Sequence, residues 1–446
     1  MRLSRLFGGK SNEPDPPEPP EPPDDDGADS PSDDDFDGIP EGDPTIDHDL
    51  EWRDRAADVI PGGASTGSKR AVALYGENTV FGPTHFVRAS GCHVSTPGGR
   101  TLIDCTMALG AVAIGYADDA VTRHVLNAIA AGHVSGLSHT SEIDVADRLC
   151  DMIPCAEQVR FLKTGAEAVS AAVRIARTHT GRNKIVCSGY FGWHDWANED
   201  RGVPAGAHVD TVRVPFDDVA ALEQACEQAG RDLAAIILEP VIERLPSKEW
   251  IEAARRLADD RDAVLVFDEI KTGFRLRPGG YQDYASVEPD MATFGKAMAN
   301  GFPIAAVVGR AGIMEAAAKT WISSTLASEA MSLAAVAAVL EMHDKGEVCD
   351  TLWRTGEEMM GAMRRAISAS GVQGVTVEGI APMWFLRWDS SENESRFLDL
   401  AIENGVLFKR GAYNFAAVAH DEQAIIDIEA GASTALVQLV EETGVE

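Results

Sequence analysis

The chain has 446 residues, of which 45% are hydrophobic and 25% are charged, proportions typical of a globular enzyme and not of a fibre or a membrane protein. Lys and Arg together number 39 against 71 Asp and Glu, which gives a formal net charge of −32. Because binding to nucleic acid and to anionic membranes begins with neutralised phosphates, this charge argues against both kinds of partner. No apolar run approaches the roughly 20 residues that span a bilayer.

The cysteines and the N-terminus indicate where the protein works. The seven cysteines form no CxxC pair and their number is odd, which favours a reduced compartment over a disulfide framework or a zinc ribbon. Arg2, Arg5 and Lys10 are not followed by the apolar segment of a secretory signal. We therefore predict a cytoplasmic protein without a metal site.

Residues 11–44 contain ten of the 22 prolines and few apolar side chains. Such a segment buries too little apolar surface to offset its ordering entropy. We predict that residues 1–47 form a disordered acidic tail rich in Pro and Asp, which solvates the protein. Docking of the tail to a basic partner is the alternative.

From about residue 50 the sequence predicts an α/β fold, because apolar runs of strand length alternate with helical stretches. The predicted strands are Lys184–Ser188, Ala234–Glu239, Ala263–Asp268, Pro303–Gly309 and Met383–Trp388, and the predicted helices are Ala166–Thr180, Lys248–Asp260 and Ser328–Met342. Buried strands of this kind form a mostly parallel sheet covered on both faces. We predict an N-terminal segment of the small domain at 48–105, a large domain at 106–330 and a C-terminal small domain at 331–446.

Several familiar motifs are absent or occur in the wrong context. The chain contains no GxGxxG, P-loop or HExxH pattern, so dinucleotide, nucleotide triphosphate and zinc-protease functions lack their anchors. A GxSxG pattern occurs at Gly63–Gly67. A hydrolase nucleophile needs a strand before this pattern and a helix after it. Pro61 and Gly62 precede it and polar residues follow, so we do not expect Ser65 to be a nucleophile.

Asp268 and Lys296 are the first candidate catalytic residues. Asp268 ends a predicted buried strand, and its carboxylate would lie at the crevice where α/β ligands bind. Lys296 lies among Phe, Ala, Met and Gly, and an apolar setting lowers a lysine pKa from about 10.4 and frees the neutral amine that a Schiff base requires. Considered alone, Asp268 could instead make a structural hydrogen bond, and Lys296 could simply be exposed to solvent. One strand–helix–strand passage would bring both to one edge of the sheet.

Two further segments have features of a site that binds a phosphate group and a planar ring. Lys163–Ala168 opens a predicted helix, whose free N–H groups and glycine suit a phosphate, with an ordinary N-cap as the alternative. Gly189–His194 follows a strand, and its aromatic side chains can stack on a planar ring, with core packing as the alternative. Together with an acidic partner for a ring nitrogen and an imine-forming lysine, these features describe a pyridoxal phosphate site.

Over about residues 50–440 the sequence resembles the class III aminotransferases of fold type I, on FDEIKTGFR followed by FGKAMANGFP. The resemblance implies the fold of a type I PLP-transferase, α/β with a large, mostly parallel sheet covered by helices and a smaller α+β C-terminal domain. It implies pyridoxal 5'-phosphate as the cofactor, with a covalent bond to Lys296 and the ring nitrogen paired with Asp268. The further cofactor contacts that it implies are ring stacking by Tyr190, phosphate binding by the backbone of Gly165 and Ala166, and a phosphate contact from Thr325 across a homodimer interface.

Within that family the chain is similar to glutamate-1-semialdehyde 2,1-aminomutases and keto-sugar aminotransferases. The segment IPGGASTGSKRAV carries this similarity and places Arg70 where a substrate carboxylate would be held. Glu239 is the second substrate-binding residue predicted from the resemblance. Phe191 stands where a histidine commonly follows the stacking tyrosine, and Ala166 replaces a usual Ser or Thr. VIERLP after Pro240 differs from the Gly- and Asn-rich stretch of the aminomutases.

The resemblance implies an aminotransferase that moves an amino group between a small amino donor and a keto or aldehyde acceptor through a Schiff base on Lys296. The alternative is a glutamate-1-semialdehyde 2,1-aminomutase, which returns the amine to the neighbouring carbon of the same molecule. A catalytically silent binding protein is a third hypothesis, against which the presence of both Lys296 and Asp268 argues.

Removal of the acidic tail is expected to leave the chemistry unchanged, because segments of this composition tolerate removal. A chain that begins near residue 46 should keep the turnover and the dimer state of the full chain, measured by steady-state kinetics and gel filtration. A tenfold loss of activity, about 1.4 kcal/mol of barrier, would instead show that the tail contributes to the site.

Overall fold

The computed structural model describes residues 47–77 and 82–444. The predicted tail therefore lies outside the described residues except for Asp47, whose side chain accepts the backbone N–H groups of Asp49 and Leu50 at the start of the first helix. Among the described residues, no helix is both long enough and apolar enough to cross a membrane.

The helices follow the chain in this order: α1 (His48–Val59), α2 (Ala71–Tyr75), α3 (Met107–Gly110), α4 (Asp119–Ala131), α5 (Ser141–Met152), α6 (Gly165–Thr180), α7 (Ala205–His208), α8 (Val219–Ala229), α9 (Lys248–Asp259), α10 (Tyr281–Ala285), α11 (Ala311–Met314), α12 (Ala330–Asp344), α13 (Val348–Ser370), α14 (Ser391–Glu403) and α15 (Glu422–Thr443). The strands are β1 (Arg88–Ser90), β2 (His93–Ser95), β3 (Thr101–Asp104), β4 (Gln158–Leu162), β5 (Lys184–Ser188), β6 (Thr211–Arg213), β7 (Leu233–Leu238), β8 (Val264–Asp268), β9 (Met291–Phe294), β10 (Ala305–Gly309), β11 (Val375–Ile380), β12 (Met383–Trp388), β13 (Val406–Leu407) and β14 (Asn414–Phe415).

The largest sheet has seven strands in the order β4-β10-β9-β8-β7-β5-β6. β10 runs antiparallel to both of its neighbours, and the other adjacent pairs are parallel. Every residue of β7 and β8 is buried, as expected for strands whose two faces are both covered. The predicted α/β fold with a mostly parallel sheet is confirmed.

The covering helices divide the core between the two faces of this sheet. Ile237 packs in the cluster that contains the apolar face of α6, whereas its neighbour Ile236 packs in the cluster that contains α8 and α9. Successive side chains of a strand point to opposite faces, so each strand contributes to both clusters. α6 begins with a capping box between Thr164 and Glu167, which fixes where this helix starts.

Two smaller sheets also lie in the part of the chain that the structure describes. The first, β1-β2-β3-β13, joins distant parts of the chain, because Val406 and Leu407 pair in parallel with Ile103 and Asp104. The second, β11-β12-β14, is antiparallel and lies with the helices α13–α15 in the C-terminal part of the chain. The smaller C-terminal α+β domain is thus confirmed, while the domain boundaries at 105 and 330 stay predictions.

Candidate active site

A cavity of about 380 Å³ lies at the carboxyl ends of the parallel strands. Because parallel strands end at one edge of the sheet, β5, β7 and β8 deliver to it the residues that follow or end them. Of the eight residues predicted for the site, six line this cavity: Gly165, Ala166, Tyr190, Glu239, Asp268 and Lys296. Arg70 and Thr325 do not line it.

Asp268, the last residue of β8, is buried at the cavity wall. Its Oδ1 accepts hydrogen bonds from the N–H of Ile270 and from the hydroxyl of Thr293, both at 3.1 Å. Burial raises the pKa of Asp268 to about 7, and the nearby Glu239 carboxylate adds to the rise. Oδ2 receives no hydrogen bond from the described residues. A cationic partner in the cavity would relieve the cost of ionising this buried carboxyl.

Lys296 follows β9 by two residues, so one crossover from β8 to β9 brings it near Asp268. Its φ of +48° is unusual for a residue with a side chain, and strained backbone of this kind is concentrated at functional sites. Burial and, after it, the ammonium group of Lys271 lower the pKa of Lys296 to about 8. Among the described residues, Lys296 Nζ has no hydrogen-bond or ion-pair partner. Its amine is therefore readily obtained in the neutral, nucleophilic form.

The start of α6 forms a cradle for an anion. Thr164 Oγ1 accepts the N–H of Glu167 at 3.2 Å, while Glu167 Oε2 accepts the N–H groups of Lys163 and Thr164 at 3.0 and 2.9 Å. The N–H groups of Gly165 and Ala166 remain without an acceptor in the described chain. They lie at the positive end of a 16-residue helix, which favours a phosphate.

A glycine lets the loop after β5 approach this cradle. At Gly192 φ is +85°, and an added Cβ would lie 2.3 Å from the Cβ of Ala166. The cavity thus offers unpaired N–H donors for a phosphate, a buried carboxyl for a cationic ring nitrogen and an amine for a carbonyl carbon. These residues fit pyridoxal phosphate.

The two aromatic residues after Gly189 have different surroundings. Tyr190 lines the cavity but is 72% exposed, and its N–H donates to Glu239 Oε2 at 3.1 Å. Phe191 is buried, and its ring stacks on that of Trp196 with the ring centres 5.9 Å apart. Phe191 also lines the cavity but is packed in the core, whereas the exposed ring of Tyr190 is available to a ligand.

Sequence reasoning missed two lysines that also line the cavity. Lys163 Nζ pairs with Glu329 at 2.6 Å, and Lys271 Nζ pairs with Glu239 at the same distance. Both lysines stand inside the motifs that identified the site, KTGAEA and FDEIKTGFR. The signal that could have found them is the one that singled out Lys296, a lysine in an apolar segment of a chain that has few lysines.

Buried hydrogen bonds hold the part of the cavity wall that lies beside α3. All four residues of α3 have positive φ, an unusual left-handed turn that ends beside the cavity residue Ala111. Arg275 Nη2 donates to the carbonyl of Gly110 at 2.7 Å and Nη1 to that of Ala416 at 3.1 Å. Asn300 Oδ1 accepts the N–H of Ala113 at 3.1 Å. Arg275 therefore ties this turn to the C-terminal part of the chain.

The remaining predicted residues lie elsewhere in the single chain. Arg70 is exposed and lines a different cavity beside Gly62 and Arg410. Thr325 is exposed in the loop before α12. Ser65 lies in a loop that follows α1, whereas the nucleophile of a hydrolase elbow follows a strand.

Comparison with known proteins relates the chain to enzymes of amine metabolism. The sequence profile of the family Aminotransferase class-III matches residues 75–194 and 207–419. The glutamate-1-semialdehyde 2,1-aminomutase of Methanothermobacter thermautotrophicus is 34% identical over 360 residues, which cover 76% of this chain and 83% of the relative. The 2'-deamino-2'-hydroxyneamine transaminase of Streptomyces kanamyceticus is 33% identical over 313 residues, 70% of this chain and 79% of the relative.

A solved structure has the same fold. The FumI protein of Sphingopyxis sp. MTA144, in its PLP internal aldimine form, superposes with a TM-score of 0.84 at 23% sequence identity. The superposition covers 89% of this chain and 97% of that protein.

Proposed function

The chain belongs to the class III aminotransferases, and from this premise we propose that the cavity around Lys296 and Asp268 is its active site. Its cofactor is pyridoxal phosphate, whose pyridine ring, when bound, accepts the electron pair released as a substrate C–H bond breaks. The observation that carries the proposal is the convergence of six predicted residues on one cavity, among them a lysine whose Nζ has no hydrogen-bond or ion-pair partner among the described residues.

We assign a role in this site to each converging residue. The amine of Lys296 would hold the cofactor covalently, and the same amine, when free, would act as the base that takes and returns a proton at the substrate carbon. The carboxylate of Asp268 holds a proton on the ring nitrogen. The N–H groups of Gly165 and Ala166 bind the phosphate, and the exposed ring of Tyr190 covers the pyridine ring.

The reaction class leaves two outcomes for the transferred amine. An aminotransferase uses an amino donor and a keto acceptor, and we propose a small donor and a keto or aldehyde acceptor for this chain. An aminomutase keeps the substrate bound and returns the amine to the adjacent carbon. Relatives of both kinds are similar to the chain at nearly equal identity. The VIERLP segment after Pro240, which differs from the aminomutase pattern, favours the aminotransferase.

For the substrate we retain Arg70 and Glu239 as proposed contacts. Both carboxylate oxygens of Glu239 already have partners in the cavity, one the ammonium group of Lys271 and the other the N–H of Tyr190. A substrate that contacts Glu239 would therefore contact a carboxylate that is already paired with Lys271. Arg70 would meet it only from another chain or after movement of its segment.

We propose that the working unit is a homodimer in the cytoplasm. Thr325 would reach the phosphate of the neighbouring site, which accounts for its position away from the cavity of its own chain. Large apolar side chains are exposed on this chain, among them Leu137, which is 84% exposed, and Trp321, which is 82% exposed and lies four residues before Thr325. Exposure of such side chains is typical of a surface that another subunit covers.

The function is tested by incubating the purified holoenzyme with a panel of amino donors while the cofactor absorbance is followed. We expect at least one donor to convert the cofactor to its amine form and to release the corresponding keto product. Retention of the carbon skeleton with movement of a labelled amine would identify an aminomutase. Absence of any spectral change, together with absence of a borohydride-reducible adduct on Lys296, would reject the proposal.

The dimer is tested by complementation. Thr325→Val is expected to weaken cofactor binding by about tenfold or more, because it removes a hydrogen bond to a charged group. When this variant is mixed with Lys296→Ala under conditions of subunit exchange, heterodimers should contain one intact site. We expect activity at limiting cofactor to exceed that of either variant alone. A monomer in solution, or no recovered activity, would contradict the shared site.

A further inference from the structure

Lys271 forms an ion pair inside the cavity that holds Lys296. Its side chain is only 9% exposed, and its Nζ lies 2.6 Å from Glu239 Oε1. Nζ also lies 4.3 Å from the centre of the Tyr413 ring. A lysine in this setting cannot turn out to solvent without leaving a buried carboxylate unpaired, which is costly.

This ion pair keeps a positive charge in the cavity. Burial lowers the pKa of Lys271, but Glu239 and Tyr413 raise it, and the net shift is upward. Lys271 is therefore charged when Lys296 titrates. Two ammonium groups that line one cavity repel each other, and the group without a carboxylate partner is the one that loses its proton.

We propose that Lys271, held by Glu239, is a positioning residue that keeps the amine of Lys296 neutral and so competent to bond to the cofactor. The inference rests on the proposed covalent role of Lys296 and goes beyond it, because it explains how this particular chain prepares that lysine. A cation placed beside a reactive lysine is a known physical route to a free amine.

The other charges that act on Lys296 fix the direction of each expected effect. Burial and Lys271 lower the pKa of Lys296, Glu239 and Asp268 raise it, and Arg275 lowers it. Loss of Lys271 removes a lowering charge and also frees Glu239 to raise the pKa. Loss of the Glu239 charge has the opposite effect. Loss of both charges should give an intermediate value above that of the wild type, because Lys271 acts more strongly than Glu239.

The test uses apoenzyme prepared from the full-length protein, with pyridoxal phosphate as the probe. The rate of covalent adduct formation is measured as a function of pH by absorbance, and borohydride reduction with mass spectrometry locates the adduct. Because the neutral amine reacts, the rate rises as pH rises through the pKa of Lys296. The midpoint of this rise is the readout, and a change that merely loosened the cavity would not move it in a charge-dependent order.

We expect the midpoint to rise in the order Glu239→Gln, wild type, Lys271→Met with Glu239→Gln, and Lys271→Met alone. Lys271→Met should raise it by about one pH unit or more, the size typical of a close charge. The rate at a fixed pH below the midpoint should then fall about tenfold. Lys271→Arg keeps the charge and should restore the wild-type midpoint.

Lys163→Met is the matched control, since Lys163 lines the same cavity and has its own buried carboxylate partner, Glu329. Lys163 is not among the principal charges that act on Lys296, so its replacement should leave the midpoint unchanged. If Lys271→Met does not fold, the double variant Lys271→Met with Glu239→Gln, which leaves no buried carboxylate unpaired, still tests the proposal by a rise in the midpoint above the wild type.

An adduct on Lys296 whose midpoint is the same in all the variants would overturn this inference and leave the proposed function standing. Absence of an adduct on Lys296 in the wild-type protein would overturn the proposed function itself. A midpoint that shifts equally in Lys163→Met and Lys271→Met would also reject a specific role for Lys271.

Discussion

Lys296→Ala is expected to abolish covalent attachment of the cofactor and to reduce turnover by on the order of 10⁴-fold, about 5 kcal/mol of barrier. The lysine would supply both the bond to the cofactor and the base that moves the substrate proton. Its amine has no hydrogen-bond or ion-pair partner among the described residues, and its pKa is lowered to about 8, so the substitution breaks no such contact. The folded state should therefore tolerate the change.

The measurements are borohydride reduction followed by mass spectrometry, and thermal unfolding of the apoenzyme. Lys248→Ala is the control, because the Lys248 side chain is 85% exposed on α9, and its replacement should leave the adduct and the activity unchanged. A reduced adduct on any lysine other than Lys296 in the wild-type protein would end the assignment.

Asp268→Asn is expected to bind pyridoxal phosphate but to lose on the order of 10³-fold in turnover, about 4 kcal/mol of barrier. The amide has nearly the same shape, and its oxygen can still accept the hydrogen bonds of Ile270 and Thr293. The lost feature is the negative charge, which keeps the ring nitrogen protonated. In a close, partly buried pair such a charge raises the pKa of the ring nitrogen by about one to three units. A ring that loses this proton is a poorer acceptor of electrons.

Turnover should be measured per bound cofactor, together with cofactor affinity, so that a binding defect is distinguished from a chemical one. Asp268→Asn with near-normal turnover would show that the wrong carboxylate has been assigned.

Glu269→Gln separates the effect of charge at the site from the effect of burial. As the next residue along the chain, Glu269 is expected to point to the opposite face, and it does not line the cavity. Its carboxylate accepts the hydroxyl of Thr272 and the N–H groups of Tyr281 and Gln282, the latter two at 2.8 and 3.0 Å. We expect this variant to lose about 1–3 kcal/mol of stability, because a buried acceptor is disturbed, with far less effect on turnover per folded enzyme.

The sequence by itself determined strands of the main sheet and the two central residues of the site, Asp268 and Lys296. The strand Lys184–Ser188 of the main sheet and the strand Met383–Trp388 of the small antiparallel sheet were predicted with the bounds that the structure has, because short apolar runs between helices are typical of buried strands. Asp268 and Lys296 could be brought together in advance, since a β–α–β passage has one hand and parallel strands end at one edge. The start of α6 was predicted at Ala166, within one residue of its position in the structure, because the helical pattern of apolar residues is local.

Other features depended on contacts between residues far apart in the chain. The pairing of Val406 with Ile103 joins segments separated by about three hundred residues, and neither short strand carries a local signal that names its partner. The left-handed turn of α3 is held by Arg275 and Asp104, so its conformation is imposed by its surroundings and not by its own residues. The positions of Arg70 and Thr325 outside the cavity were likewise decided by how loops fold over the chain.

The charge balance of the site was also decided only by the tertiary structure. Lys271 is three residues from Asp268 in sequence, but its partner Glu239 comes from another strand end, and the effect of the pair on Lys296 depends on burial of all three groups. A sequence states which residues can be charged. Whether a charge is paired, buried or close to another depends on the distances and the dielectric surroundings that the folded chain creates.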